Sequence, residues 1–386
     1  MNNFTYSIPT RIHFGRGQIS HLAELAESGK KVLVVYGGGS IKRTGLYGEA
    51  MALLRGAGLE VFELSGVEPN PRIGTVRRGV ELCRAENIDM VLAVGGGSTI
   101  DCAKAVAAGA RYPGDAWELV LDSSLVKDAL PIYSVLTLAA TGSEMDGIAV
   151  ISDFEKNEKL SLKSEHIKPR MSVLDPTYTF SVSKRQTAAG TADMMSHVLE
   201  NYFTNVEHAD VQARFCEGLL RTVVQWGPVA VEQPENYDAR ANLMWTGSMA
   251  INGLLSNGAE VPWCVHPIEH ELSAFYDITH GEGLAILTPH WMDHVLSEKT
   301  AAKFAQYGRA VWDLDGDQND MDIAREAVAC TRAFFRRLGL PSKLRDVGIA
   351  DGSNFEAMAA KAAPRCGTAY VPLGKDDIVS IFRAAF

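Results

Sequence analysis

DMVLAVGGGSTIDCAKAVAAGA, residues 89–110, decides the fold class. Its opening is an uninterrupted apolar run that ends in three glycines, and TIDCAKAVAAGA continues as a helix former. An apolar run without polar alternation is what a strand covered on both faces looks like. KVLVVYGGGS (31–40) repeats the design upstream. GLYGEAMALLRGAG then carries helical spacing, LEVFEL a short strand pattern, and IGTVRRGVELCRAEN an amphipathic helix pattern. IYSVLTL (132–138) and RMSVLD (170–175) read as later strands. Strands alternating with helices at this spacing predict a parallel sheet with helices on both faces.

The rhythm changes near residue 180. VQARFCEGLLRTVVQWGPVAVEQ, ARANLMWTGSMAINGLL, TAAKFAQYGRAVWDL and MDIAREAVACTRAFFRRLG all carry helical periodicity. Asp175-Pro176 reads as a hinge into an all-helical second domain. The expected organisation is an α/β dinucleotide-binding domain over 1–180 and an all-α domain over 181–386. A chain of 386 residues suits two such domains.

Composition narrows the function. The net charge of -10 argues against a nucleic-acid partner, which requires basic patches to neutralise phosphates. No apolar run approaches the roughly 20 residues that span a bilayer, so no membrane association is expected. The start, MNNFTYSIPTRIHFG, lacks a basic segment followed by an apolar one, the mark of a signal peptide. Cys83, Cys102, Cys216, Cys264, Cys330 and Cys366 form no CxxC pair and no disulfide framework. A cytoplasmic protein with mostly buried free thiols is the expectation.

The two glycine loops, Gly37–Gly38–Gly39–Ser40 and Gly95–Gly96–Gly97–Ser98, carry the first chemical signal. A strand that passes through glycines into a helix presents free backbone N–H groups, where phosphate binds through hydrogen bonds and the helix dipole. Neither loop is GxGxxG or GxxxxGK[ST]. One GGGS is also what a tight strand-to-helix turn requires. Two of them, at the carboxyl ends of strands, favour a dinucleotide site. TLAATGSE (137–144) follows a third strand with more small and hydroxyl residues.

The second signal is histidine. The chain has ten, and CVHPIEHELSAFYDITH (264–280) holds three of them, His266, His270 and His280. Asp193 and His197 in GTADMMSHVLE lie at i, i+4, on one helix face, and His266 and His270 repeat that spacing. A lone i, i+4 pair is common on helix surfaces. Two such pairs plus a histidine beside Gly281 can converge on a divalent cation. Cys264 is a rival donor but falls on a different face from His266. His13, His21, His166, His208, His290 and His294 read as ordinary structural residues.

Taken together, PTRIHFGRG, VEPNP (67–71), GGGSTIDCAK (95–104), LDPTYT (174–179) and the histidine segment resemble the iron-containing, or group III, alcohol dehydrogenase family along essentially the whole chain. VVYGGGSIKRTG and HPIEHELSAFYDITHGEGLAI are most similar to its NADPH-dependent aldehyde reductases and butanol dehydrogenases. The resemblance implies a dehydroquinate synthase-like fold, with an α/β nucleotide-binding domain and an all-α metal-binding domain. It implies one divalent metal, Fe(II) or Zn(II), held by Asp193, His197, His266 and His280. His270 matches the family's further histidine near the nicotinamide and becomes the candidate catalytic proton relay. The implied cofactor contacts are Gly37, Gly38, Gly39, Ser40, Asn70, Gly96, Gly97, Ser98, Asp101, Thr137, Thr141, Ser143 and Lys159.

NAD-using relatives carry an aspartate where this chain has Gly39. A carboxylate there accepts from the ribose 2′-hydroxyl and repels a 2′-phosphate. With Gly39, and with Ser40, Lys42 and Arg43 close by, NADP(H) is expected over NAD(H). The expected reaction is hydride transfer between the nicotinamide and a small aldehyde or primary alcohol whose oxygen the metal polarises. Competing readings are a dehydroquinate synthase-like lyase, a zinc glycerol dehydrogenase-type enzyme, and a non-catalytic metal sensor. The lyase requires several phosphate-binding Lys and Arg around the metal, and the paired glycine loops weigh against a sensor. A homodimer through the strand in PTRIHFG is expected.

Overall fold

The computed structural model describes residues 1–314 and 318–386. They form two compact units, one of Ser7–Val182 with Pro234–Ser248, the other of Met1–Tyr6, Ser183–Gln233 and Met249–Phe386.

The first unit holds the strands β1 (Arg11–Phe14), β2 (Lys31–Tyr36), β3 (Glu60–Leu64), β4 (Met90–Gly95), β5 (Ile132–Leu136), β6 (Ile148–Asp153), β7 (Glu158–Lys163) and β8 (Met171–Leu174). Six of them make one sheet in the order β1-β8-β5-β4-β2-β3, and each pairing in it is parallel. The helices α1 (Ser40–Arg43), α2 (Leu46–Gly56), α3 (Ile73–Glu86), α4 (Gly97–Arg111) and α5 (Ala116–Leu121) connect them.

Successive side chains on a strand point to opposite faces. Leu33, Val35, Val91 and Ala93 therefore enter one core with Val76 and Val80 of α3 and Val106 of α4. Val32, Val34, Leu92 and Val94 enter a second core with Leu22, Leu25 and, from α2, Met51 and Leu54. Both faces are covered, which is why β2 and β4 read as continuous apolar runs.

β6 and β7 form a separate antiparallel hairpin, turning through Asn157 in the left-handed conformation (φ 49). This hairpin is absent from the sequence reading. EKLSLK mixes lysines and a serine with its two leucines, and IAVISD ends in two polar residues, so neither gives the continuous apolar signal of β2 and β4.

α6 (Lys184–Tyr202) and α7 (Asp210–Glu232) open the helical unit. α8 (Tyr237–Ile251) runs past Ser248, where the chain leaves the α/β unit. α9 (Val265–Tyr276), α10 (His280–Val295), α11 (Ala301–Trp312), α12 (Asp320–Arg337), α13 (Phe355–Cys366) and α14 (Lys375–Ala385) complete it, without a strand among its described residues. The six cysteines are free, and all but Cys330 are buried. Among the described residues, no helix is long and apolar enough to cross a membrane.

Candidate metal centre and nucleotide loops

Three helices supply the polar cluster of the helical unit. α6 carries Asp193, His197 and Glu200; α9 carries His266, Glu269 and His270; α10 begins at His280. α6 and α10 approach closely because Gly281 has no Cβ. One placed there would lie 2.0 Å from the carbonyl oxygen of Ala189.

Asp193, His266 and His280 bring one donor atom each to within 4.8 Å of one another. Nε2 of His266 and Nε2 of His280 each stand 3.6 Å from Oδ1 of Asp193. Nδ1 of His197 stands 3.7 Å from the same oxygen. The His197 ring stacks on His266, with centroids 4.4 Å apart, but the mutually close trio does not include it. His270 shares a second such group with Glu269 and His280, so it flanks the first.

Burial makes this cluster costly without a cation. Oδ1 of Asp193, Nδ1 of His197 and Nε2 of His266 are buried without a hydrogen-bond partner. Buried polar atoms are normally satisfied, and leaving one orphaned costs free energy. Ligand atoms on a tetrahedral ion with bonds near 2.1 Å lie about 3.4 Å apart, close to the spacing here. A carboxylate with imidazoles suits Fe(II) and Zn(II) alike. The residues present therefore fit a divalent cation.

The electrostatics agree. Burial alone would raise Asp193, but the His197, His266 and His280 imidazoles outweigh it and hold the carboxyl below its usual range. Burial lowers His197 to about 3, against the pull of Asp193. That keeps its imidazole neutral and a lone pair available. Burial also opposes charge on His266, yet Glu200 and Asp193 raise it to about 9, so without a cation the ring holds a proton on each nitrogen and a cation would displace the one on Nε2.

Two residues of the cluster are missing from the sequence reading. Glu200 accepts from the Cys264 N–H at 2.7 Å, from the Val265 N–H and from Nδ1 of His266. Glu269, wholly buried, accepts from Nδ1 of His280. A signal existed. Asp193, His197 and Glu200 fall at i, i+4, i+7, one helical stripe, and Glu269 lies three residues beyond His266. Cys264 is buried, and the Cys366 thiol donates to its carbonyl oxygen.

In the α/β unit the glycine loops sit where strands end. β4 stops at Gly95, and Gly96 precedes the 15-residue α4. The α4 N-terminus is thus a free set of N–H groups with positive dipole character. Gly97 is required by its neighbour, since a Cβ would lie 2.3 Å from Oγ1 of Thr141. Thr137 N–H donates to the Gly95 carbonyl at 3.0 Å, which brings the TLAATGSE segment beside the loop. Asp101 is turned inward. Its carboxylate accepts from Ser143 Oγ at 2.6 Å and from Val150 N–H at 2.9 Å, tying that segment and the hairpin to α4. Lys159 on β7 is buried, and Asn70 takes a left-handed conformation (φ 51).

At the other loop Gly39 has φ 100, and nothing lies within 4 Å of a Cβ built on Gly38 or Gly39. The Lys42 ammonium stands 5.0 Å from the ring centre of Tyr36 and 4.6 Å from that of Tyr47. Glu63 accepts from both tyrosine hydroxyls, at 2.6 Å from Tyr36 and 3.0 Å from Tyr47.

His13 and His21, read as ordinary, stack at 3.5 Å beside Glu24. Arg11 donates to that carboxylate at 3.1 Å, so the grouping is already partly neutralised.

The sequence matches the family described as iron-containing alcohol dehydrogenase over residues 9–176, and that family's C-terminal part over 187–386. It is 53% identical over 390 residues to NADH-dependent butanol dehydrogenase A of Clostridium acetobutylicum, covering 100% of each chain. It is 42% identical to the NADPH-dependent aldehyde reductase YqhD of Escherichia coli, covering 94% of this chain and 93% of that one. Its structure is similar to that of an NADH-dependent butanol dehydrogenase A from Thermotoga maritima, with a TM-score of 0.94 and 37% identity, covering 100% of this chain and 99% of that one.

Proposed function

This chain belongs to the iron-containing alcohol dehydrogenase family and is a metal-dependent oxidoreductase acting on CH–OH donors; on that premise we propose that it interconverts small aldehydes and primary alcohols with NADP(H). The observation that carries the reading is the convergence of Asp193, His266 and His280 around buried polar atoms without partners. In this reading the α/β unit binds the nucleotide and the helical unit holds the metal; the simple division expected at residue 180 leaves out the exchange of Met1–Tyr6 and Pro234–Ser248 between them.

When bound, the divalent cation supplies Lewis-acid stabilisation of the substrate oxygen and the nicotinamide supplies the hydride. Asp193, His266 and His280 provide the donor atoms, and the stacked His197 adds its nitrogen to the set. His270, partly exposed and one turn beyond His266, relays the proton at its imidazole nitrogen. The Gly96–Ser98 turn takes the pyrophosphate on backbone N–H groups, with Thr137 and Thr141 beside it. Asp101 and Ser143, also expected cofactor contacts, bond to one another and keep that segment in place.

The names of relatives lean toward NADH, which four butanol dehydrogenases at 46–53% identity carry, with NADPH named at 42%. NADP(H) is supported by the open turn at Gly38 and Gly39, which puts no carboxylate beside the ribose, and by the cation of Lys42. Glu63, the nearby acid, is engaged by two tyrosine hydroxyls.

The test is butanal reduction on chelator-stripped protein before and after adding Fe(II) or Zn(II), with NADPH and NADH in parallel. Metal-restored oxidation is expected, with kcat/KM for NADPH roughly tenfold or more above that for NADH, about 1.4 kcal/mol. A higher value with NADH overturns the NADP(H) assignment. No oxidation with either metal, across several short aldehydes, overturns the small-aldehyde assignment.

We also propose a homodimer through β1, an edge strand with one open hydrogen-bonding side. Sedimentation at the mass of one 41.9 kDa chain would refute it.

A further inference from the structure

The structure assigns Glu200 and Glu269 as positioning residues that fix which nitrogen His266 and His280 offer the cation, and it makes Glu200 the less replaceable of the two. The assignment rests on the metal site proposed above.

Both carboxylates meet an Nδ1 atom. A carboxylate only accepts, so each Nδ1 must carry the proton. With Nδ1 committed to the carboxylate, the nitrogen left for a cation is Nε2, the atom that stands 3.6 Å from Oδ1 of Asp193 in both cases. Carboxylate partners of this kind set the tautomer and orientation of ligating histidines.

The two differ in what the second oxygen does. Oε1 of Glu200 accepts from three backbone donors, the N–H groups of Cys264 at 2.7 Å, Val265, and His266 at 3.3 Å. These N–H groups are at the start of α9, where an anion is also favoured by the helix dipole. Glu200 therefore meets donors on both oxygens. A glutamine there has one oxygen and one NH₂. If the oxygen faces the backbone, the NH₂ meets Nδ1 and drives the proton to Nε2, which removes the ligand. If the oxygen faces Nδ1, the NH₂ opposes the backbone N–H groups. Neither orientation serves both sides.

Oε1 of Glu269 instead accepts from the Ser273 hydroxyl at 2.5 Å. A hydroxyl can reverse and accept. Glutamine at 269 can therefore keep its oxygen on His280 and donate its NH₂ to Ser273.

The test is the Zn(II) dissociation constant, read by competition with a chromogenic chelator, together with the Co(II) ligand-field spectrum and far-UV circular dichroism. Glu200→Gln is expected to weaken Zn(II) binding roughly 100-fold and to alter the Co(II) spectrum, and Glu269→Gln to weaken it less than about tenfold. Wild-type affinity in Glu200→Gln, or a larger loss in Glu269→Gln, overturns the assignment. Should Glu200→Gln not fold, Glu269→Ala decides. A loss of roughly tenfold or more beside a near-wild-type Glu269→Gln supports it, and equal affinities in both overturn it. His266→Ala is the control. If it binds Zn(II) like wild type, the metal site itself is misassigned and the carboxylates are not at issue.

Discussion

His266→Ala is expected to lose bound metal and aldehyde reduction together, with activity at the background of metal-free protein. The substitution removes one of three converging donors and the imidazole that Glu200 holds in place. The fold should survive, because Glu200 keeps the backbone donors at the start of α9. Circular dichroism unchanged from wild type would establish that. His270→Ala is the contrast. It leaves Asp193, His266 and His280 untouched, so metal content should stay at the wild-type level. Loss of a positioned proton relay should lower kcat by roughly 10²–10⁴-fold. Metal analysis beside steady-state kinetics on both variants separates the roles. Full activity in a metal-free His266→Ala chain would refute the mechanism, and metal loss in His270→Ala would make that residue a ligand.

The second large effect is expected at a residue with no side chain. In Gly281→Ala the new Cβ would stand 2.0 Å from O, 2.6 Å from C and 3.0 Å from Cα of Ala189. These are backbone atoms inside α6, so no rotamer change relieves the overlap. The α6 and α10 backbones must separate by on the order of 1 Å, at a cost of about 2–4 kcal/mol in the range of overpacked cores. The damage is not confined to stability. Asp193 lies one turn beyond Ala189, and His280 adjoins Gly281, so the separation pulls two donors apart. Sites of this kind tolerate errors of about 0.5 Å. A lowered melting temperature with weakened Zn(II) binding is the expected pair of results. Wild-type values of both would mean that α6 and α10 are not locked by this contact.

Much of this architecture is legible in the sequence for physical reasons. β2 and β4 announce themselves because a strand buried on both faces must be apolar throughout. The metal candidates stand out because imidazole is scarce in this chain and the i, i+4 spacing has few other readings when repeated. The β6–β7 hairpin is not legible, since EKLSLK resembles a polar loop and β6 pairs with it in a two-stranded sheet. Glu200 and Glu269 are hard to single out for a different reason. Glutamate is abundant on helices, and only the stripe through Asp193 and His197 marks one of these as facing inward. Asp101 shows what spacing leaves out. Its place on the helix after the glycine loop suggests a cofactor contact, but its bonds to Ser143 and Val150 join residues more than 40 positions apart, which no local pattern displays.

The chain passes between the two units four times, after Tyr6, Val182, Gln233 and Ser248. The segment Pro234–Ser248 is not decoration on the α/β unit. Met244 is part of its core with Leu33 and Val91, and the Ser248 hydroxyl donates to buried Glu144. The gene therefore cannot be divided at residue 182 into two exchangeable cassettes. A chimera that joins the first half of one relative to the second half of another would set Met244 and Ser248 from one parent against a core from the other. Recombination within this family should succeed only when codons 234–248 travel with the N-terminal half.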